Sequence, residues 1–357
     1  MKENSFTISF EQHDMPFLKK YGLFKAMRKV RNHNKKYKVP FIDDTYQLAH
    51  ALSITRKQLF DLSRNANKHY KQILLKKRKG GVRVINAPDP ELKDIQRRIL
   101  RRILYKSEIS KYATAYAPDR KLKDNATPHV NHKYLLKMDI TDFFGSITFL
   151  EVISSAFNSK IYPTQIGAML TALCCKDEVL PQGAPTSPML SNIVMKNFDN
   201  AIGGWCEKRD ITYTRYCDDL TFSADIPLYN VYQKVEDMLI QRGFEVNESK
   251  TKFITNSGRQ TVTGLTVNEK VSIPRDYKRQ LRQEIYYALK FGLSESIVYG
   301  NKTEFMDSRG PNCWRYYQHL KGKLNYVFQV EPNNMWFRDA DEKLWVAYIQ
   351  PNMRYPY

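Results

Sequence analysis

The sequence predicts an α+β fold, because short runs rich in β-branched and aromatic residues accompany longer segments whose apolar residues recur at helical spacing. Two short runs, Ile211-Thr212-Tyr213-Thr214-Arg215-Tyr216 and Leu220-Thr221-Phe222-Ser223, flank the acids Asp218-Asp219 and read as a β-hairpin with a charged tip. A third, Leu135-Leu136-Lys137-Met138-Asp139, is an apolar strand that ends in an acid, with Asp142 three residues later. The helical spacing is plain in Leu92, Ile95, Ile99, Leu100, Ile103 and Leu104. With 357 residues, the chain has room for two or three domains.

Along the chain, a basic N-terminal block comes first: Lys25, Arg28, Lys29 and Arg31, then Lys35-Lys36-Tyr37-Lys38. A second basic block, Lys71 to Lys79, ends at Gly80-Gly81. The strand-like runs Gln72-Ile73-Leu74-Leu75 and Val82-Arg83-Val84-Ile85 lie on either side, so a tight hairpin turn is expected at the glycines. In the helix over 92–104, Arg97, Arg98, Arg101 and Arg102 fall on other faces than the apolar stripe, as a solvated surface or as template contacts. Leu180-Pro181-Gln182-Gly183-Ala184-Pro185-Thr186-Ser187-Pro188 is a turn-rich loop leading into a helix at Leu190–Met195, and Gly183 permits close approach to its backbone. After the acidic hairpin come an amphipathic helix over 231–242 stopped by Gly243, a short run Phe244–Asn247, and Lys250-Thr251. Beyond Gly264 the chain turns basic, helical and aromatic, over 277–290 and 314–328.

The chemistry sits in the acids. Adjacent carboxylates repel, and an acid closing a buried strand costs several kcal/mol unless it is paired or bound to a metal. Hard divalent cations such as Mg²⁺ take carboxylate oxygens together with substrate phosphates, and two ions roughly 3.5–4 Å apart drive in-line phosphoryl and nucleotidyl transfer. A solvated Asp-Asp turn is the alternative for the hairpin taken alone. Lys and Arg total 57 against 37 Asp and Glu, a net charge of +20, which suits binding to phosphates. A soluble basic protein has the same arithmetic. Five cysteines, Cys174, Cys175, Cys206, Cys217 and Cys313, with no C-x-x-C pair, speak against a disulfide framework or a zinc site. No apolar run approaches the ~20 residues that span a bilayer, and a signal-peptide core is missing, so a cytoplasmic protein is expected.

The strand with Asp139, the Gln182-Gly183 loop and the Tyr216-Cys217-Asp218-Asp219 hairpin, in this order, resemble the palm of reverse transcriptases from about Lys76 to Leu265. The resemblance implies a right-hand polymerase fold: a basic helical extension over 1–60, fingers over 61–125, a palm of antiparallel sheet plus helices over 126–265, and a helical thumb over 266–357. It implies that Asp139, Asp218 and Asp219 are catalytic and hold two Mg²⁺. Phe144 falls where such enzymes keep an aromatic gate against the ribose 2′-OH, favouring dNTPs, while Phe143 suits core packing. Gln182 would touch the nucleotide and Gly183 shape its pocket. Arg83, with Lys79 beside it, would meet the triphosphate, or Arg83 is a solvated strand residue. Lys250 would give a proton to departing pyrophosphate, or is a surface charge. Cys217 stands where a small apolar residue is frequent and reads as packing.

Two more motifs, Asn125-Ala126-Thr127-Pro128-His129 and Val262-Thr263-Gly264, resemble those of retron reverse transcriptases. Asn125, His129, Val262, Thr263 and Gly264 are thereby weak RNA-binding candidates, and His129 equally fits a structural, hydrogen-bonded histidine. Membership implies copying part of a cognate non-coding RNA into a branched RNA–DNA hybrid, msDNA, primed from a guanosine 2′-OH. It further implies anti-phage defence with a separate effector protein. No further carboxylate-bearing module is expected after the thumb, so host RNase H would remove copied RNA. Two alternatives stand beside this: a reverse transcriptase of intron-derived or abortive-infection lineage using a conventional primer, and a non-catalytic RNA-binding scaffold with a vestigial palm.

Overall fold

The computed structural model describes residues 23–76 and 80–351. The chain divides into two compact units, Met1–Lys121 with Leu136–Phe253, and Leu122–Leu135 with Ile254–Tyr357. The first unit opens with helices α1 (Leu23–Tyr37), α2 (Thr45–Ala51) and α3 (Arg56–Asn65). The starts of α2 and α3 follow from their caps. Asp44 accepts the N–H groups of Tyr46 and Gln47, and Thr55 and Gln58 form a reciprocal capping box. Strands β1 (Tyr70–Lys76) and β2 (Val82–Pro88) pair antiparallel with Lys76 opposite Val82. Their connection is therefore residues 77–81 and longer than the tight turn the glycines suggested. Gly80 and Gly81 take φ of 91° and 81° within it, and Lys79 lies outside the described residues.

Helix α4 (Pro90–Arg102) is capped by Asp89, has proline in its first turn, and buries Leu92, Ile95 and Ile99 as its spacing predicts. Two of its arginines, Arg98 partly buried and Arg102 exposed, also have a structural task. Arg98 donates to the Leu52 and Ser53 carbonyls at 2.6 and 2.8 Å, and Arg102 donates to the Ala51 carbonyl at 2.6 Å. They close the carbonyl end of α2, where a cation also offsets the helix dipole.

Next in chain order are α5 (Leu122–Ala126), which belongs to the second unit, β3 (Tyr134–Asp139), α6 (Phe149–Ser155), α7 (Thr164–Cys174), α8 (Ser187–Glu207), β4 (Thr212–Tyr216), β5 (Asp219–Ala224) and α9 (Tyr229–Ile240). With β6 (Lys252–Thr255), the strands form a four-stranded sheet in the order β4-β5-β3-β6. Its strands bury Leu136, Met138, Leu220 and Phe222, and α8 contributes Leu190, Met195 and Phe198 to the buried apolar residues of this unit. Gly203 of α8 is required by packing, since a Cβ there would stand 2.1 Å from the Tyr112 ring.

In the second unit, β7 (Thr261–Val262) and β8 (Leu265–Thr266) form a hairpin, followed by α10 (Arg275–Phe291), α11 (Leu293–Val298), the short pair β9 (Met306–Asp307) and β10 (Gly310–Pro311), α12 (Cys313–Val330) and α13 (Met335–Ile349). Val262, Leu265, Leu281, Ile285, Tyr316, Leu320, Leu324, Phe337 and Leu344 share one apolar core with Ala126 and Leu135. Among the described residues, no helix is long and apolar enough to cross a membrane.

Candidate active site

Asp139 is the last residue of β3 and is 5% exposed. Just past it, the Ile140 N–H donates to the Asp218 carbonyl at 3.1 Å, which sets the end of β3 beside the β4–β5 turn. On the other side, the Thr141 N–H donates to the Glu245 carbonyl and the Asn247 N–H to the Asp139 carbonyl, both at 2.8 Å. The chain then closes a 3₁₀ turn over Glu248–Lys250 that brings the Lys250 ammonium 2.7 Å from Asp139 Oδ1. Residues 111 positions apart thus meet because one short backbone bridge aligns them.

Asp218 occupies the turn, and Asp219 opens β5 opposite Tyr216. Burial, together with repulsion from Asp139, pushes the Asp218 carboxyl above its ordinary value. Asp219 is pushed up to about 6, by burial first and then by Asp218 and Asp139, with Lys137 and Lys250 opposing. Three carboxylates thus crowd one another in a half-buried place, and two lysines only partly offset them. Among the described residues no group of three or more His, Cys, Asp or Glu side chains converges closely enough to hold a metal by itself. Mg²⁺ asks for less than that, commonly one or two carboxylates with the remaining positions filled by phosphate oxygens and water. The oxygen-only donor chemistry and the repulsion that the lysines leave in place fit such an ion at Asp139 and Asp218, with Asp219 adjoining.

The turn itself is held by residues that the motifs did not single out. Cys217 has φ of 62°, a left-handed conformation that a non-glycine residue adopts only when its surroundings enforce it. The enforcement comes from Arg215, fully buried against a fully buried Asp199 of α8. Arg215 donates to Asp199 through Nε at 2.8 Å and through a terminal nitrogen at 2.6 Å, and its other terminal nitrogen donates to the Cys217 carbonyl at 2.9 Å. Tyr213 donates its hydroxyl to the same Asp199 carboxylate at 2.8 Å. Burial alone would lower the guanidinium's pKa, but Asp199 outweighs it and holds the pKa above its usual value. A partial sequence signal did exist: Arg215 falls on the same strand face as Tyr213, and Asp199 lies between Met195 and Ile202 on a buried helix face. The small Cys217 side chain is buried, and its thiol is pushed up to about 12 by burial and by Asp218, so it is inert packing.

Gln182 and Gly183 are tied to β2. The Asn86 N–H donates to the Gln182 carbonyl at 2.8 Å, and a Cβ on Gly183, whose φ is 131°, would stand 2.7 Å from the Asn86 carbonyl oxygen and 2.8 Å from the Ile85 side chain. Arg83, opposite Leu75, is exposed on the same β2 strand. Phe143 is buried, its ring 5.5 Å from that of Phe144, which is only partly buried in the loop after Asp139. Asp142 does not join the carboxylates. It is exposed at φ of 40°, and its side chain lies over Gly145, where a Cβ would stand 2.2 Å from it.

The remaining candidates belong to the second unit. Asn125, His129 and Val262 are 1%, 0% and 0% exposed. Burial, with His132 nearby, pushes the His129 imidazole down to about 3, so the buried ring is neutral in this conformation. Thr263 and Gly264 form the two-residue turn between Val262 and Leu265, with φ of 46° and 81°, and Gly264 is exposed.

Residues 74–280 match the family model for reverse transcriptase (RNA-dependent DNA polymerase). The chain is similar to the Retron Mx65 reverse transcriptase of Myxococcus xanthus, 31% identical over 344 residues that cover 87% of this chain and 76% of that one. It is also similar to the Retron Ec86 reverse transcriptase of Escherichia coli, 31% identical with 82% and 86% covered. Among solved structures, a telomerase from Candida albicans aligns with TM-score 0.42 and 14% identity, covering 79% of this chain and 60% of that one.

Proposed function

We propose that this chain, which belongs to the retron reverse transcriptases, uses Asp139, Asp218 and Asp219 as the catalytic carboxylates with which it copies part of a cognate non-coding RNA into msDNA. The enzyme is an RNA-directed DNA polymerase. The observation that carries the assignment of its site is the meeting of Asp139 at the end of β3 with the Asp218-Asp219 turn beside it.

In this reading Asp139 and Asp218 would hold two Mg²⁺ and Asp219 would support them. The chemistry that the bound ions supply is acidification of the attacking hydroxyl and neutralisation of the triphosphate and pyrophosphate. The chain's own residues do the positioning. Arg215 fixes the direction of the turn through the Cys217 carbonyl, and Lys250, which holds Asp139, would protonate departing pyrophosphate. Phe144 borders the nucleotide and favours dNTPs, Gln182 and Gly183 shape its pocket, and Arg83 of the fingers hairpin meets its phosphates. The thumb over 266–357 binds the template duplex, with Thr263 and Gly264 offering backbone to RNA.

Family membership supports the finer parts of the proposal. The first nucleotide is joined to a guanosine 2′-OH inside the RNA, giving a branch. The product serves anti-phage defence with a separate effector in the cytoplasm, and host RNase H removes the copied RNA. The experiment is expression with the native flanking DNA, comparing wild type with the Asp218→Ala, Asp219→Ala double variant. A short DNA that changes size on RNase and debranching treatment, found only with wild type, is the expected result. Its absence from wild type, with retained copying of an annealed primer–template, would overturn the branch-priming proposal.

A further inference from the structure

Within the second unit, α10, α11 and the residues that follow α11 line an open cavity of about 450 Å³ whose walls include Tyr287, Phe291, Glu295, Ser296, Tyr299 and Lys302. Three features distinguish it from ordinary surface. Its rim is aromatic and unusually open to water, since Tyr287, Phe291 and Tyr299 are 45%, 46% and 87% exposed and the neighbouring Val298 is 53% exposed. Folding does not reward exposing so much contiguous apolar surface, which is the mark of a surface meant to be covered. The Tyr287 and Phe291 rings lie 6.0 Å apart at 25°, two near-parallel faces on successive turns of α10. At the wall, Ser296 is 6% exposed and its hydroxyl has no hydrogen-bond partner, so an unsatisfied polar group stands behind the aromatic rim.

The charges at the cavity are mixed, with Glu295 lining it beside Lys302, and two cations stand within reach of its rings. The Lys290 ammonium lies 5.4 Å from the Phe291 ring centre and donates to the Tyr286 hydroxyl at 2.7 Å, which parks a cation at the rim. Lys302 hydrogen-bonds the Tyr316 hydroxyl and lies over that ring at 4.2 Å. Aromatic faces for stacking, cations for the adjoining phosphates and one buried hydroxyl to read an edge are the elements with which proteins hold unpaired bases. An apolar protein segment would be served by the rings but would leave both the cations and the Ser296 hydroxyl unused.

We propose that this cavity receives one unstacked base of single-stranded RNA, with Tyr287, Phe291 and Tyr299 stacking on it, Ser296 hydrogen-bonding its edge and Lys290 meeting a flanking phosphate. The proposal rests on reading the chain as an enzyme that engages RNA and adds a site apart from the carboxylates of the first unit.

The test is photo-crosslinking of the full chain to an unstructured 24-mer RNA carrying 4-thiouridine, with the matching 4-thiothymidine DNA as the second arm, and mapping of adducts by mass spectrometry. Adducts on Tyr287, Phe291 or Tyr299 that favour RNA are expected. Tyr287→Ala with Phe291→Ala should weaken RNA binding roughly tenfold, while Tyr287→Phe preserves it. Unfolding temperature monitors the double variant, and Tyr287→Ala alone, at an exposed position, serves if the double variant is unstable. Adducts elsewhere with unchanged affinity would overturn the proposal, as would equal labelling by DNA, or retained RNA affinity with loss of a co-purifying protein. Copying of an annealed primer–template in the same preparations keeps the two readings apart: lost copying by wild type counts against the carboxylate site, while the adduct map scores the cavity independently.

Discussion

Two hairpin turns, one in each unit, solve the same backbone problem by opposite means. The β4–β5 turn places Cys217 at φ of 62°, and the β7–β8 turn places Thr263 at φ of 46°, each between a directly paired couple, Tyr216 with Asp219 and Val262 with Leu265. Behind the first stands a fully buried ion pair that donates to the turn's own carbonyl. Behind the second stands an apolar core in which Val262 and Leu265 are both 0% exposed. An apolar anchor is non-directional and sets only the register. A charge-assisted hydrogen bond has direction, and direction is what a carboxylate beside a second carboxylate requires. The costly solution is used where aim matters, and the cheaper one where a turn need only be presented.

The comparison breaks most visibly at the carboxylates. Asp139→Asn or Asp218→Asn should depress DNA synthesis by on the order of a thousandfold or more, since transition-state charge stabilisation worth several kcal/mol is lost. Asp218→Asn also relieves repulsion, so denaturant unfolding should show stability equal to or above wild type, whereas Asp139→Asn gives up the ion pair with the largely exposed Lys250 and should cost little. A large loss of stability would mean that these acids serve the fold instead.

The next effect is at the ion pair. Arg215→Met leaves Asp199 buried and uncompensated and should cost about 3–5 kcal/mol of stability. Adding Asp199→Leu should restore much of that stability yet leave copying impaired, because the Cys217 carbonyl still lacks its donor. Full recovery of activity in the double variant would remove the directional role assigned to Arg215.

A pH effect separates the two units more gently. His129 titrates near 6.5 when unfolded but is pushed down to about 3 when folded, so below pH 6.5 the unfolded chain gains a proton that the folded chain refuses. Stability is complete above pH 6.5 and is lost as pH falls toward 3, by about 2 kcal/mol at pH 5 relative to pH 8. His129→Asn should flatten that slope in unfolding curves collected across this range.

The smallest effects are at the β7–β8 turn. Both central residues have positive φ, the arrangement for which Asn-Gly is the favoured pair, so Thr263→Asn should raise stability by up to about 1 kcal/mol. Gly264→Ala should lower it by about 1–2 kcal/mol. Thermal unfolding of both variants checks the pair, and opposite signs are the informative outcome.

Much of this was legible in the residues. Period-two and period-3.6 patterns located the strands and helices because apolar spacing must match the element that buries it: the helix expected over 277–290 is Arg275–Phe291, and the strand expected to end at Asp139 does so. Turn lengths were less legible. Gly80-Gly81 looks like a complete two-residue turn, yet pairing stops at Lys76 and Val82 because register is set by the partner strand as well as by the turn. The arginines of α4 show the same gap: spacing says which face they occupy, but not that Arg98 and Arg102 close the end of a helix some fifty residues earlier.

Local order along the chain was enough to determine the element types, the family motifs and the acids proposed to carry the chemistry, because each depends on residue type at short spacing. Only the tertiary structure decided that Lys250 lies on Asp139, that Asp199 and Arg215 stand behind the turn, and that Ser296 faces an aromatic cavity with its hydroxyl unpartnered. Partner choice across long sequence separations is settled by which groups must be satisfied once water is excluded. That accounting exists only in the folded chain.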